Sequence, residues 1–124
     1  MPTKVVFGDD SLDQLPGLAA SLGSRYLLVS GRSSMRETGV LERAVSFLGD
    51  TKTVLYEGVA QMPVSETIDA VVEMINQERC DVVVGLGGGA VLDVAKCAAI
   101  LQGNPGTTSA YVTKAATISN RGIP

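Results

Sequence analysis

The chain has 124 residues and a net charge of −3, with 45% hydrophobic and 19% charged residues, which is the composition of a globular domain and excludes a disordered or low-complexity chain. No cluster of Lys and Arg occurs in the sequence, so a nucleic-acid partner is excluded, because counterion release needs several neighbouring cations. The apolar runs are shorter than the roughly 20 residues of a membrane span and no secretory signal is recognisable, so we expect a cytoplasmic protein without a membrane partner.

The first half of the chain alternates apolar runs with amphipathic windows, which is typical of β-α-β units. Residues 4–8 predict a first strand, followed by a helix that Ser11 caps and Gly23 ends. Residues 26–30 predict a strand buried on both faces, and residues 31–34 turn into a second helix. The inward positions of that helix are Leu41, Ala44, Val45 and Leu48.

The second half repeats the same alternation. Residues 53–56 predict a third strand, and the spacing from Ile68 to Ile75 predicts a third helix. Residues 81–86 predict a fourth strand, residues 90–101 a fourth helix and residues 109–118 a weaker one. The inward positions of the fourth helix are Val91, Ala95, Ala98 and Ala99. The pattern predicts one α/β domain over residues 1–124, with a parallel sheet covered by helices on both faces.

The chain contains no histidine and two cysteines. Histidine is the commonest neutral metal ligand and the commonest general base, so we expect no catalytic centre among these residues. Cys80 and Cys97 each fall in a pattern typical of buried secondary structure, and we expect both to be packing residues.

Glycines join the fourth predicted strand to the fourth predicted helix. Gly87, Gly88 and Gly89 permit positive φ and close approach of a diphosphate, and the helix that starts near Ala90 adds its positive end. From Gly85 the string also matches G-x-G-x-x-A, but it does not follow the first strand and no acidic residue stands about 20 positions on. The alternative interpretation is a tight strand-to-helix turn without a ligand.

The string GGGAVLDVAK closely resembles the GGGSxxDxAK signature of the iron-dependent (group III) alcohol dehydrogenases. The segments VVFG, RYLLVSGRSS and TGVLER, Pro63 and the terminal RGIP follow the order of that family, so the resemblance covers essentially the whole chain. It implies a Rossmann-like fold, similar to the N-terminal domain of dehydroquinate synthase.

The resemblance also implies roles for individual residues. Gly87, Gly88, Gly89 and Ala90 would cradle the pyrophosphate, with Ala90 in place of the family's more usual Ser. Asp93 matches the motif's Asp and would line the cleft between nucleotide and substrate, or it is an acid that the helix dipole favours in the first turn. Lys96 matches the motif's Lys, or it is a solvated helix residue.

In this family, a C-terminal helical domain holds a divalent metal through an Asp and three His. We expect that domain and its iron or zinc to be absent from these 124 residues, which alone would bind a dinucleotide but not catalyse. The full-length enzyme would transfer hydride between the nicotinamide and an alcohol or aldehyde. Apolar surface left uncovered by the absent domain could make the chain a homo-oligomer.

The turn after the second predicted strand bears on the choice of cofactor. Members of the family that prefer NAD place an Asp here to bind the adenosine ribose, but this chain has Gly31. Arg32, Ser33 and Ser34 offer a cation and two hydroxyls to a 2′-phosphate, so we predict NADP, with NAD as the alternative. The other interpretation is that one serine only caps the helix and that Arg32 is solvated.

Two further functions stay open at this point. Dehydroquinate synthase-like and glycerol-1-phosphate dehydrogenase-like enzymes share a GGGxxxD loop. Alternating strands and helices alone would also permit a non-catalytic flavodoxin-like binding module, although the fourth predicted strand ends in glycines and not in an acidic cluster.

Overall fold

The structure, a computed structural model, describes residues 6–32, 34–61, 63–104, 106–109 and 122–124. Three parallel strands form its sheet: β1 (Tyr26–Gly31), β2 (Thr53–Val59) and β3 (Val82–Leu86). Their order across the sheet is β2-β1-β3, so β1 lies in the centre.

Five helices of the described residues surround this sheet: α1 (Leu15–Ala20), α2 (Ser34–Glu37), α3 (Val40–Leu48), α4 (Ser65–Glu78) and α5 (Gly89–Leu101). Helix α3 packs against α1 and α2 on one face of the sheet, and α4 packs against α5 on the other. Among the described residues, none of the helices combines the length and the apolar character that crossing a bilayer demands. Both faces of the parallel sheet are covered, which confirms the predicted fold class.

The central strand explains the arrangement of the core. Leu27, Leu28 and Val29 have no exposed surface. Because successive side chains point to opposite faces, Leu27 and Val29 pack in the cluster beneath α4 and α5, whereas Tyr26 and Leu28 pack in the cluster beneath α1 and α3. The predicted doubly buried strand is therefore confirmed.

The carboxyl end of β1 lies between the carboxyl ends of its two parallel neighbours, β2 and β3. The chain leaves β1 towards α2 on one face of the sheet, and it leaves β3 towards α5 on the opposite face. Adjacent parallel strands whose connections diverge in this way leave a crevice between them, where α/β proteins bind ligands.

A bulge shapes the end of β2. Val29 pairs with Tyr56 but Gly31 pairs with Val59, so β2 carries one more residue than β1 over this interval. Gly58 in the bulge has a φ of 97°, a conformation that glycine adopts without the steric cost of a side chain. The bulge places Val59 beside Gly31.

The beginning of the described chain differs from the prediction. Residues 4 and 5 lie outside the described residues, and residues 6–8 join no strand. Phe7, which a strand in the sheet would bury, is 97% exposed. Ser11 does not cap a helix: it is the first residue of a 3-10 helix, Ser11–Gln14, and makes no capping bond. The α-helix begins only at Leu15, so that Pro16, which lacks an N–H, falls in its first turn.

The predicted second helix is in fact two. Gly39 adopts a φ of 79° between α2 and α3, which interrupts the helical backbone. The third and fourth predicted helices are confirmed as α4 and α5, and all the inward positions predicted for α5 are buried. Cys80 is buried as expected, but Cys97 lies on the exposed face of α5, so its predicted packing role is wrong. Most of the helix predicted over residues 109–118 lies outside the described residues.

Candidate functional site

A cleft of about 720 Å³ opens at the carboxyl ends of the strands. It lies where the connections from β1 and β3 diverge, between the end of β1, the end of β2 and the start of α5. Its lining residues are Gly31, Arg32, Val59, Ala60, Gln61, Gly88, Gly89, Ala90 and Val91. The volume falls in the range of small-molecule and cofactor sites.

The start of α5 forms one wall of the cleft. Gly88 occupies the N-cap position without any side-chain capping bond, and its carbonyl accepts the N–H of Leu92 at 3.1 Å. Within the described part of the chain, no backbone acceptor outside the helix and no side chain takes the N–H groups of Gly89 and Ala90. The wall therefore presents unpartnered donors and the positive end of a 13-residue helix to the cleft.

The glycines of this loop have different physical roles. Gly87 has a φ of 153°, and a β-carbon there would lie 2.9 Å from Val91 Cγ2. The expectation of positive φ is wrong for the other two, because Gly88 has a φ of −80° and Gly89 already belongs to α5. A β-carbon on Gly88 or Gly89 would meet no atom within 4 Å. Neither the backbone nor the packing requires glycine at these two positions, so their missing side chains leave open space.

A further glycine positions α5 on the sheet. A β-carbon on Gly85 would lie 3.0 Å from Ala95 Cβ and 3.1 Å from Leu92 Cδ2, tighter than ordinary packing. Gly85 therefore permits the close approach of α5 to β3, which brings the start of the helix to the cleft.

The opposite wall contains the turn after β1. A β-carbon on Gly31 would lie 3.6 Å from Val91 Cγ2 and 3.9 Å from the Val59 carbonyl oxygen, which is ordinary contact. Arg32 is exposed, and no carboxylate of the described residues lies within ion-pair distance of its guanidinium. Ser33 lies outside the described residues, and Ser34 is described only as the first backbone position of α2.

Asp93 and Lys96 lie apart from this group. Both side chains are exposed on α5, where Lys96 Nζ is 3.8 Å from Asp93 Oδ1. Neither residue lines the cleft. Asp93 is also not in the first turn of α5, so the alternative explanation by the helix dipole is wrong.

Three lining residues were not predicted from the sequence: Val59 is the last residue of β2, and Ala60 and Gln61 follow it. They are neither glycines nor charged. Their position directly after a strand that neighbours β1 could have indicated them, since the carboxyl ends of parallel strands meet at one edge.

A catalytic metal does not fit the described residues. They contain no group of three or more His, Cys, Asp or Glu side chains that could hold a metal ion. The whole chain also lacks histidine. None of the described residues that line the cleft is a His, Cys, Asp or Glu.

Comparison with known proteins agrees with the geometry. The chain is 33% identical over 98 residues to NADH-dependent butanol dehydrogenase A of Clostridium acetobutylicum, an alignment that covers 77% of this chain and 25% of that enzyme. It is 31% identical over 110 residues to NADPH-dependent butanol dehydrogenase of Clostridium saccharobutylicum, with 87% of this chain and 28% of that enzyme covered.

The fold is also that of a solved enzyme. The crystal structure of NADH-dependent butanol dehydrogenase A from Thermotoga maritima superposes with a TM-score of 0.89 at 28% identity, covering 99% of this chain and 31% of that one. The chain thus spans between a quarter and a third of the length of these relatives. The family model described as iron-containing alcohol dehydrogenase matches residues 2–124. This chain belongs to the iron-containing alcohol dehydrogenase family.

Proposed function

We propose that the cleft binds NADP, and that the chain is the nucleotide-binding part of an oxidoreductase that transfers hydride between NADP(H) and an alcohol or aldehyde. The observation that carries this proposal is the meeting of three features in one cleft: N–H groups and an arginine without partners among the described residues, and bare glycine surface. The N–H groups and the glycine surface suit the pyrophosphate of the cofactor, and the arginine suits its 2′-phosphate.

The start of α5 suits the pyrophosphate. The N–H groups of Gly89 and Ala90 can donate to phosphate oxygens, and the helix dipole favours negative charge at the same place. Because Gly88 and Gly89 leave open space where side chains would stand, a diphosphate can approach these donors closely. Ala90 keeps its N–H but contributes no hydroxyl.

The turn after β1 suits an adenosine ribose with a 2′-phosphate. Gly31 brings no carboxylate, so the phosphate meets no repulsion there. Arg32 lines the same cleft and has no acidic partner among the described residues, so its guanidinium is available for a bidentate contact. Family membership alone does not choose the cofactor, since the relatives include both NADH-dependent and NADPH-dependent enzymes.

In such an enzyme the dinucleotide supplies or accepts the hydride. The residues of this chain bind it and orient it: the start of α5 fixes the diphosphate, and the turn after β1 fixes the adenosine end. The described residues contain no group of three or more potential metal ligands, so we expect a metal that activates the alcohol to be held mainly by other residues. The relatives are named as butanol dehydrogenases, which favours a dehydrogenase over a cyclase.

The test is calorimetric titration of the chain with NADP and with NAD. We expect NADP to bind at least about tenfold more tightly, the difference that one charge-assisted contact can make. Gly31→Asp should reverse the preference. Gly31→Ala is the matched control, because it adds the same β-carbon at 3.6 Å from Val91 Cγ2 without the carboxylate. Equal or tighter binding of NAD by the unaltered chain would defeat the NADP assignment.

The Arg32→Met variant tests the contribution of the guanidinium charge to binding. It should weaken NADP binding and leave NAD binding nearly unchanged, because only NADP carries the 2′-phosphate. A similar loss for both dinucleotides would show that Arg32 contacts the diphosphate or the ring and not the 2′-phosphate.

A further inference from the structure

An ion pair joins α2, the helix that follows β1, to the last residues of strand β2 before its bulge. Arg36 Nε donates to Glu57 Oε2 at 2.9 Å, and Arg36 Nη2 donates to Glu57 Oε1 at 2.5 Å. This is the bidentate fork that fixes relative orientation as well as distance. The hydrogen bonds raise the pKa of Arg36 and lower the pKa of Glu57, so both groups are charged over the physiological range.

Each partner stands close to the cleft in sequence. Arg36 belongs to α2, a helix of four residues that starts two residues after Arg32. Glu57 directly precedes Gly58 of the bulge, which leads into the lining residues Val59, Ala60 and Gln61. The pair therefore connects the segment that carries Arg32 with the segment that forms the neighbouring part of the wall.

A helix as short as α2 does not hold its position by its own hydrogen bonds. Met35 packs partly into the core, and the fork from Arg36 to Glu57 adds a tie to the edge strand β2. The side chains of Arg36 and Glu57 are 52% and 29% exposed, and ion pairs in such surroundings add little to global stability. Their geometry matters more for local placement than for the free energy of unfolding.

We propose that Arg36 and Glu57 are positioning residues for NADP: the fork holds α2, and with it the turn that carries Arg32, against the end of β2. This inference rests on the proposed function. It assigns specificity to residues that do not line the cleft.

The experiment compares Arg36→Met, Glu57→Gln and the charge-swapped double variant Arg36→Glu/Glu57→Arg with the unaltered chain. Both single variants should weaken NADP binding by about three- to tenfold and NAD binding by less. The charge swap should restore part of the lost affinity. The matched control is Arg43→Met, because Arg43 pairs with Asp13 at 3.2 Å, is 53% exposed and belongs to no cleft-lining segment. Thermal unfolding should be nearly equal for all variants.

The outcomes separate the two proposals. If the unaltered chain binds neither dinucleotide, the proposed function fails and this inference fails with it. If it binds NADP but both single variants bind as Arg43→Met does, only the positioning role is overturned. Tighter NADP binding by Glu57→Gln alone would overturn it too, since it would mean that the released Arg36 itself reaches the phosphate.

Discussion

The Asp81 carboxylate accepts a 2.8 Å hydrogen bond from the backbone N–H of Arg25 at the entry to β1. It also accepts the backbone N–H of Ser24, and the Arg25 carbonyl in turn accepts the N–H of Asp81 and that of Val82. This exchange locks the amino ends of β1 and β3 together. Strands β1 and β3 therefore start in a fixed register, at the end of the sheet opposite the cleft.

Acid should weaken the hydrogen bonds that the Asp81 carboxylate accepts. The hydrogen bond from Arg25 lowers the pKa of Asp81 in the folded chain below its usual value. The stabilisation is complete above the ordinary carboxyl pKa and is lost as the pH falls through the lowered one. We expect Asp81 to contribute about 1 kcal/mol at neutral pH, after discounting for its exposure, and to lose it as the pH falls below the ordinary carboxyl range and through the lowered pKa.

Urea denaturation of the unaltered chain and of Asp81→Asn across this pH range measures the effect. The stability difference between the two should shrink as the pH falls, because the asparagine does not titrate. A difference that stays constant down to the lowest pH would contradict the linkage.

Gly23 should not tolerate a side chain. A β-carbon there would lie 2.6 Å from Asp81 Oδ1 and 2.6 Å from Val82 Cγ2, so one of these groups must move. We expect Gly23→Ala to cost about 1–3 kcal/mol of unfolding free energy. The control is Gly17→Ala in α1, where a β-carbon meets no atom within 4 Å and helix propensity should make the change neutral or stabilising. Equal effects at both positions would refute the packing argument.

Variants at Gly87 and Gly88 should separate an effect on dinucleotide binding from an effect on folding. Gly88→Val puts its β-carbon into open space, so it should cost no more than the roughly 1 kcal/mol of a poorer N-cap residue but weaken dinucleotide binding by at least about tenfold. Gly87→Val should instead destabilise the fold, because Gly87 has a φ of 153° and its β-carbon would approach Val91. Thermal unfolding and dinucleotide titration of both variants give the comparison. Unchanged affinity in a folded Gly88→Val would remove the pyrophosphate from this wall.

The two thiols should react at different rates. Burial raises the pKa of Cys80, which lowers its thiolate fraction near neutral pH, whereas Cys97 is exposed. Iodoacetamide should modify Cys97 first in the folded chain, and mass spectrometry identifies the site. In Cys97→Ser, labelling should become slow until urea unfolds the chain. Fast labelling of this folded variant would show that Cys80 is accessible.

The sequence predicts best those elements whose pattern persists over many residues. Helix α4 repeats its apolar spacing over about two turns, and β1 is apolar on both faces, so both were predictable from periodicity. The break at Gly39 and the bulge at Gly58 were not, because a glycine of positive φ looks in the sequence like any other glycine. Their conformations depend on how the strands and helices dock.

The site was predictable to a similar extent. Gly31, Arg32 and the glycine loop all follow strands, and the meeting of strand ends at one edge brings several of them into one cleft. The role of Gly88 and Gly89 was misjudged in part, since they provide space and not an unusual backbone. The bulge in β2, which places Val59 beside Gly31 at the cleft, was not predictable because no residue pattern indicates such a register shift.

The divergence of the chain at the ends of β1 and β3 has an evolutionary consequence. The glycine loop that we propose to bind the diphosphate leads into the helical layer of α4 and α5. The turn that we propose to bind the ribose leads into the layer of α2 and α3. Substitutions in one layer need not disturb the other, because distant sites act nearly independently. If the cleft binds a nicotinamide dinucleotide as proposed, a few changes after β1 would suffice to exchange NADP for NAD while the diphosphate site at the start of α5 stays unchanged.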